Sequence, residues 1–216
     1  MAPTAPGDPD EAHGSDRLRR RAIGWTKTTP QRGAEWADVE IGEDRLTATG
    51  TAIAALPVPY RLGWRLETAA RFVTTRLDVR AHGEGWDRRL ELRRSPEGQW
   101  TATRDRTGAP SFPAPDDDVL ATLDDALDCD LGLCPLTNTM PVLRHRLLDG
   151  GDPVDFVMAW VSVPDLAVHR SEQRYTFIRR TRTAAVIRYE SGSFTSDLRF
   201  DADGLVVDYP SLARRL

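Results

Sequence analysis

The sequence predicts an all-β fold, a roll or a barrel, and two observations lead to that prediction. At least ten short segments have the composition of β-strands and are separated by turns rich in glycine, proline and aspartate. In addition, two pieces of the chain resemble each other, as if one β-hairpin occurred twice. A chain of 216 residues is enough for one large domain or two small ones with a sizeable core.

The first half of the chain contains six of the predicted strands. The pattern is clearest at residues 76–81, where apolar and charged residues alternate and therefore lie on opposite faces of a strand. The others are 36–40, 45–53, 60–66, a strand around Leu90 and Leu92, and one that begins at Trp100.

The domain organisation follows from composition. Residues 1–20 are rich in proline, aspartate and glycine and predict a disordered tail, although 16–21 could add a helical turn. Residues 105–118 contain three prolines among charged residues and predict a loop. We therefore expect one β-roll domain over 21–216, whose halves, roughly 34–104 and 124–216, are joined by this loop.

The most informative stretch is 124–142, near the middle of the chain. It begins as a strand in which Asp128 and Asp130 lie on one face and Cys129 and Leu131 on the other. Pro135 and Pro141 then bracket Thr137-Asn138-Thr139, whose side chains can hydrogen-bond the backbone that they bend. This polar turn is either a ligand site or a structural clamp, and the residues alone fit both.

The second half contains the remaining predicted strands. Residues 154–163 are the most continuously apolar run and predict a central, buried strand. The others are 142–148, 175–179, 184–189, 194–200 and 205–209.

The internal resemblance joins residues 92–100 to residues 198–206. Both follow the pattern L-R-x-[SD]-x-[DE]-G-x-apolar, and upstream Val79-Arg80 before Trp86 matches Ile187-Arg188 before Phe194. If the repeat is real, two curved sheets face each other and can leave an internal cavity. The alternative is that two hairpins look alike because acidic-glycine turns are common.

Charge and cysteine content exclude several classes of function. A net charge of −4 argues against a non-specific nucleic-acid surface. No apolar run of about 18 residues predicts a membrane span, and the N-terminus does not look like a signal peptide. Cys129 and Cys134 are too far apart on an extended strand for a disulfide, and their spacing is poor for zinc. We expect reduced thiols, a cytoplasmic location, no metal and no cofactor.

A catalytic role is the weakest hypothesis. Asp128 and Asp130 project from one face at a spacing of roughly 6.6 Å, which overlaps the carboxylate separations of glycosidases, and His145 follows in sequence. However, an acidic strand face that is solvated or paired with arginine explains the two aspartates equally. The sequence contains neither a nucleophile elbow nor a phosphate-binding loop. We therefore predict a protein that is not an enzyme, with a hydrolase using these three residues as the weaker alternative.

A ligand pocket is the stronger hypothesis, because several tryptophans lie in or beside predicted strands. Core packing explains each of them as well, but aromatic side chains with a few polar anchors are also the usual lining of a ligand pocket. The candidate ligand-binding residues are Trp64, Arg65, Trp86, Asn138, Thr139, Trp160, Arg174 and Tyr175.

Four blocks of the sequence, in order, resemble a known family. Asp128-x-Asp130-Leu131-Gly132 followed by Pro135-x-Thr137-Asn138-Thr139-Met140-Pro141 resembles the D-x-D-L-G…P-x-T-N-T-L-P signature of the putative glycolipid-binding family of bacterial proteins. The segments 160–166 with 173–175, 189–192 with 203–212, and 63–66 with 90–94 agree as well. The resemblance covers roughly residues 34–216. Within that range, this chain differs from the family's pattern at residues 104–120.

The resemblance implies a curled antiparallel β-roll or half-barrel of two similar halves with few short helices. It also implies non-enzymatic binding of an amphipathic glycolipid or a related lipid in an apolar cleft. In that case the tryptophans contact the tail, while Asn138, Thr139 and Arg65 contact a sugar or phosphate head. The alternative of a different class is an interaction or scaffold module with a packed core, and the oligomeric state stays open.

Overall fold

A computed structural model describes residues 18–28, 30, 32–108, 112, 115–116 and 118–216 of the chain. Most of the predicted N-terminal tail, residues 1–17, lies outside the described residues. The first strand begins at Arg19, so the predicted boundary of the domain at residue 21 is two residues late.

The all-β prediction is confirmed, because the described residues form a single open, curled sheet of fourteen strands and one short α-helix. Three 3₁₀ segments occupy Ala70–Phe72, Asp118–Thr122 and Pro135–Asn138, and α1 spans Thr139–Arg144. The strands are β1 (Arg19–Lys27), β2 (Gly33–Ile41), β3 (Leu46–Ala54), β4 (Tyr60–Thr68), β5 (Thr74–Gly83), β6 (Trp86–Arg94), β7 (Trp100–Gly108), β8 (Asp128–Leu131), β9 (Val154–Val161), β10 (Val168–Arg180), β11 (Ala185–Ser191), β12 (Phe194–Phe200), β13 (Val206–Tyr209) and β14 (Ala213–Arg215).

The sheet divides into two halves that meet at the first and last strands. The order is β7-β6-β5-β4-β3-β2-β1-β14-β13-β12-β11-β10-β9-β8, with β1 paired to β14 through Trp25 and Arg215. All neighbours are antiparallel except β8 and β9, which are parallel. The connection between those two strands contains α1, as expected because parallel strands need a crossover rather than a hairpin.

The curl of the sheet brings the edge strand β8 onto β5 of the other half. The backbone N–H of Thr74 donates to the carbonyl of Leu127 at 3.0 Å, and the N–H of Cys129 donates to Thr74 Oγ1 at 3.1 Å. The first half thereby covers β8, an edge strand that would otherwise expose unpaired backbone groups.

Two apolar clusters hold the sheet in this shape. The larger joins the inward residues of β1–β6, such as Trp25, Leu66 and Leu77, to Cys129 and Val161 on β8 and β9. The smaller packs α1 and the segment after it onto β10–β13, through contacts among Val142, Leu147, Tyr175, Ile187, Leu198 and Phe200. The other face of β8 and β9 therefore points toward α1.

Several element predictions need correction. Residues 142–148 are not a strand, because α1 begins before them; Pro135 opens the preceding 3₁₀ segment and Pro141 lies in the first turn of α1, where its missing N–H costs no hydrogen bond. The apolar run 154–163 is strand β9, but it lies second from the edge of the sheet rather than at its centre.

The predicted loop 105–118 begins too early, since β7 extends to Gly108 and pairs Asp105 with Arg89 on β6. Sequence reasoning also missed β1, whose first three residues are all arginine. It placed the start of β10 seven residues late, because polar and charged residues precede Tyr175.

The two hairpins that share the repeated pattern also share the hydrogen bonds of their turns. Ser95 N–H donates to Gln99 O at 2.8 Å and Gly98 N–H to Ser95 O at 3.0 Å, while Asp201 and Gly204 make the equivalent bonds at 3.0 and 3.1 Å. Both glycines have positive φ, 101° and 76°. The similarity of these turns is a fact of the structure, whereas a repeat of the complete halves stays a prediction.

Cys129 and Cys134 are free thiols and both are buried. Across the described ranges, no helix is long and apolar enough to cross a membrane. In the same ranges, no group of three or more histidine, cysteine, aspartate or glutamate side chains is arranged to hold a metal ion.

Candidate functional site

The candidate site lies on the face of β8–β11 that points toward α1. Asp130 is paired with Trp160, Trp160 with His169, and Tyr175 with Tyr189 across neighbouring strands. Because paired residues share a face of the sheet, these aromatic and polar side chains lie on one face, with Asp130, Trp160 and His169 in one cross-strand row and Tyr175 and Tyr189 in another.

An open cavity of about 790 Å³, the aromatic cavity, lies on this face. Four aromatic rings line it, from Trp160, Tyr189, Phe194 and Tyr209. Further apolar surface comes from Leu56, Pro57, Leu133 and Val163, and hydroxyls come from Ser162, Ser171 and Ser191. Among the described residues that line this cavity, none has a charged side chain.

The aromatic rings of the cavity pack on one another and rise to an exposed rim. Ring centroids lie 5.9 Å apart for Tyr189 and Phe194 and 6.1 Å apart for Tyr189 and Tyr209. Phe194 is 44% exposed and Leu56 is 46% exposed, so apolar surface reaches solvent at the mouth. Burial raises the pKa of the Tyr189 and Tyr209 phenols well above the ordinary value, and both stay uncharged.

A hydrogen-bonded network backs the cavity and centres on Asp130. Gln173 Nε2 donates to Asp130 Oδ2 at 2.7 Å and lies 3.4 Å from Ser171 Oγ, which in turn is 3.3 Å from Ser191 Oγ. The network therefore runs from the aspartate on β8 to two serines that line the aromatic cavity.

The Asp130 carboxyl group has no cation in this network, and its surroundings favour the protonated acid. Thr137 Oγ1 lies 2.8 Å from Asp130 Oδ1 and 3.0 Å from the carbonyl of Cys134. A threonine hydroxyl has a single proton, so both contacts become hydrogen bonds only if Asp130 supplies the proton of one. Burial also raises the pKa of the Asp130 carboxyl.

Asn138 and Tyr175 form the second part of the network, beneath α1. The Tyr175 hydroxyl donates to Asn138 Oδ1 at 2.9 Å, and Asn138 Nδ2 donates to the carbonyl of Pro135 at 3.2 Å. Both side chains are almost fully buried. Thr139 is fully buried as well, and its hydroxyl has no hydrogen-bond partner within the described part of the chain.

A second open cavity of about 680 Å³, the polar cavity, also borders Ser191. Its charged lining residues include Glu172, Arg174 and Glu190, which by the strand register lie on the face of the sheet opposite to that of the aromatic cavity. Arg174 Nη1 lies 3.0 and 3.1 Å from the two carboxylate oxygens of Asp155. His145 lines this cavity and packs edge-on against Phe156 at 5.1 Å, and burial lowers the pKa of its imidazole.

Comparison with known proteins places the chain in a family. Residues 22–215 match the profile of the family described as "Putative glycolipid-binding". The chain belongs to this family. The match begins at β1, earlier than the start near residue 34 that the sequence blocks indicated.

Among solved structures, the chain is similar to the 1.80 Å crystal structure of a DUF1089 family protein from Pseudomonas aeruginosa. It is 26% identical, covers 84% of this chain and 92% of its own, and superimposes with a TM-score of 0.62. Among curated proteins, none matches the chain significantly.

Three of the eight candidate ligand-binding residues lie in the first half of the sheet, away from the aromatic cavity. Trp64 is 6% exposed and packs against Gly50, where a Cβ atom would overlap its ring. Arg65 points to the opposite face of β4 and pairs with Glu67 at 2.7 Å. Trp86 packs edge-on against Phe112 with centroids 5.6 Å apart. The structure therefore does not bring these three side chains together with Trp160.

Four of the other five lie in or around the candidate site. Trp160 lines the aromatic cavity, and Asn138, Thr139 and Tyr175 lie in the buried network behind it. Arg174 lines the polar cavity and points to the opposite face of β10. Sequence reasoning missed the cavity-lining residues Ser171, Tyr189, Ser191, Phe194 and Tyr209. The available signal was the hairpin at Gly192, which brings Tyr189 and Phe194 to the same face.

The three residues of the hydrolase hypothesis have separate surroundings. Asp128 is fully buried and accepts two bonds from the Arg144 guanidinium, at 2.5 and 2.6 Å. Asp130 is bonded to Thr137 and Gln173, and His145 packs on Phe156. Asp128 and His145 both border the polar cavity, but the aspartate oxygens are occupied by Arg144. Asp128 is therefore paired with arginine, as one of the sequence alternatives predicted, whereas Asp130 is neither exposed to solvent nor paired with arginine.

Proposed function

We propose that this protein binds an amphipathic lipid, a glycolipid or a related molecule, and that the aromatic cavity holds the apolar part of that ligand. The observation that carries the proposal is the open aromatic cavity with its uncharged lining. A volume of about 790 Å³ is in the range of small-molecule pockets. The family's description as glycolipid-binding supports the same class of ligand.

The physical reason is the transfer of apolar surface from water. Each buried methylene of a lipid tail gains on the order of 0.8 kcal/mol, and the rings of Trp160, Tyr189, Phe194 and Tyr209 offer the surface for that burial. A binding role of this kind needs no bond to be broken, so the ligand is recovered unchanged.

The proposal is tested with N-phenyl-1-naphthylamine, an uncharged apolar dye whose fluorescence rises in apolar cavities. We expect saturable binding to the wild type and a dissociation constant at least about tenfold higher for Trp160→Ala. The reason is that truncating a central aromatic contact costs about 1.4 kcal/mol or more of binding free energy. Trp36→Ala is the matched control, since Trp36 is 50% exposed and lines neither cavity.

Equal affinity of the wild type and Trp160→Ala for the dye would show that the aromatic cavity is not the binding site. Absence of saturable binding by the wild type would contradict the proposed function and favour the protein-interaction module. In that case the exposed apolar residues on the outer face of the first half, such as Trp36 and Ile53, would be the surface to examine.

A further inference from the structure

A thin wall closes one side of the aromatic cavity. Gly132, Leu133 and Val163 line that cavity and also line a small void of about 10 Å³ behind it. The void has a polar side, which Lys27 and Glu35 line. A single layer of residues therefore separates the apolar cavity from a buried pair of charges.

Leu133 in this wall has a backbone conformation that leucine rarely adopts. Its φ is 64°, in the left-handed region that favours glycine. The turn around it is fixed by two backbone bonds, from Gly132 N–H to the carbonyl of Val161 at 2.8 Å and from Cys134 N–H to that of Leu131 at 3.0 Å. This conformation costs a leucine free energy that a glycine would not lose, so the side chain needs an explanation of its own.

The buried pair of charges holds the carbonyl group of Leu133. Lys27 is the only lysine of the chain, and its Nζ donates to Glu35 Oε2 and to the Leu133 carbonyl. The side chains of Lys27 and Glu35 are 3% and 1% exposed, so neither is solvated. The hydrogen bond to the carbonyl therefore ties the wall to the end of β1 from inside the protein.

We propose that Leu133 is the stop that limits the length of apolar chain in the aromatic cavity, and that Lys27 positions it. A hydrocarbon chain that passes Leu133 would meet the Lys27–Glu35 pair and separate buried charged groups from their partners without replacing those contacts. This inference rests on the proposed function and adds one specificity-determining residue and one positioning residue to the site.

The stop is tested with uncharged straight-chain alcohols, from hexanol to tetradecanol, that displace N-phenyl-1-naphthylamine from the cavity. We expect the affinity of the wild type to rise about fourfold with each added methylene and then to level off, because further methylenes cannot pass Leu133 and stay in water. In Leu133→Gly, whose glycine suits the φ of this position, the affinity should level off at a chain about two to four carbons longer.

Leu56→Ala is the matched control for Leu133→Gly. It also shortens a leucine of the aromatic cavity, but at the exposed mouth rather than in the wall. We expect it to weaken binding of the alcohols and to leave unchanged the chain length at which the affinity levels off.

A double variant tests the positioning role of Lys27. Lys27→Met/Glu35→Leu replaces both charges by apolar side chains, a change that buried pairs usually tolerate, and it removes the hydrogen bond to the Leu133 carbonyl. We expect a folded protein whose affinity still rises beyond the wild-type chain length. A folded double variant that levels off at the same alcohol as the wild type would overturn the role of Lys27.

The outcomes separate this inference from the proposed function. If the wild type binds the dye and its affinity for the alcohols rises through tetradecanol, Leu133 is not the stop, while the proposed function stands. The same conclusion follows if Leu133→Gly and the wild type level off at the same alcohol. If the wild type binds neither the dye nor the alcohols, the proposed function fails and the inference with it.

Discussion

At the scale of single residues, the buried network explains why the chain's only asparagine lies where it does. Asn138 accepts from Tyr175 and donates to the backbone of its own turn, and neither side chain is exposed to the cavities. Of the two readings of this turn, ligand site or structural clamp, the geometry favours the clamp. A structural clamp contributes to the free energy of unfolding and does not contact the ligand.

Tyr175→Phe tests the clamp by removing one hydroxyl. Asn138 Oδ1 then loses its buried donor, and we expect the free energy of unfolding to fall by about 1–3 kcal/mol. Chemical denaturation measures this change, and dye binding to the folded variant should be unchanged. A variant of wild-type stability that no longer binds the dye would contradict the clamp.

Asp130 predicts a pH dependence of stability. Its pKa is raised in the folded protein, so its contribution is fully present below the unfolded value of about 3.9 and is lost as the pH rises through the folded pKa. Asp130→Asn has no such loss, and its melting temperature relative to the wild type should therefore rise with pH above about 4.

Asp125→Asn is the control of opposite sign. Arg170 lowers the pKa of Asp125, so that carboxylate gains stability as the pH rises, and the exposed pair should give only a small effect. Parallel pH profiles of the two variants, measured by thermal unfolding, would show that Asp130 is not held as the acid.

Residue pattern predicted part of the site and could not predict the rest. Alternation placed Asp128 and Asp130 on one face and Cys129 and Leu131 on the other, as the structure has them. It could not show that Trp64 is packed on Gly50 while Trp160 borders a cavity, because both lie on strands with the same period. That difference depends on which strands curl together.

At the scale of elements, α1 ties the two halves together through one arginine. Arg144 binds Asp128 in β8 and donates to the carbonyls of Arg71 and Phe72 at 2.8 and 3.0 Å. Those two residues belong to the first half and both have positive φ, 59° and 58°. The side chains of Arg144 and Asp128 are 1% and 2% exposed, so the pair is shielded from solvent.

Arg144→Met is expected to lower the free energy of unfolding by about 3–5 kcal/mol, because it leaves a buried carboxylate without its partner. Adding Asp128→Asn should restore part of that loss. Arg188→Met is the control: its pair with Asp197 is about 40% exposed on both sides, and its loss should cost at most about 1 kcal/mol. Equal effects of the two single variants in denaturant titrations would contradict the role given to Arg144.

The elements show where sequence patterns fail. The run 142–148 has the composition of a strand. However, Pro135 and Pro141 lie in the helical turns that precede it, and α1 continues into the run. Strand β1 begins with three arginines and was not recognised, since its burial begins only at Ile23 and Trp25. In each case tertiary packing, rather than local preference, decides the structure.

At the scale of the whole molecule, the sheet accounts for the cavity. Fourteen strands in one sheet curl so that β8 lies over β5, and the segment between β8 and β9 fills part of the second half with α1. The part that α1 leaves open is the aromatic cavity. The fold class was predictable because strand periodicity is local, whereas the cavity depends on contacts between residues distant in sequence.

Native mass spectrometry of the freshly purified protein, followed by organic extraction, tests the central claim most directly. The account predicts a discrete additional mass that extracts as an intact amphipathic lipid and is lost in Trp160→Ala but kept in Trp36→Ala. A bare protein mass, unchanged after incubation with a mixed lipid extract, would contradict it.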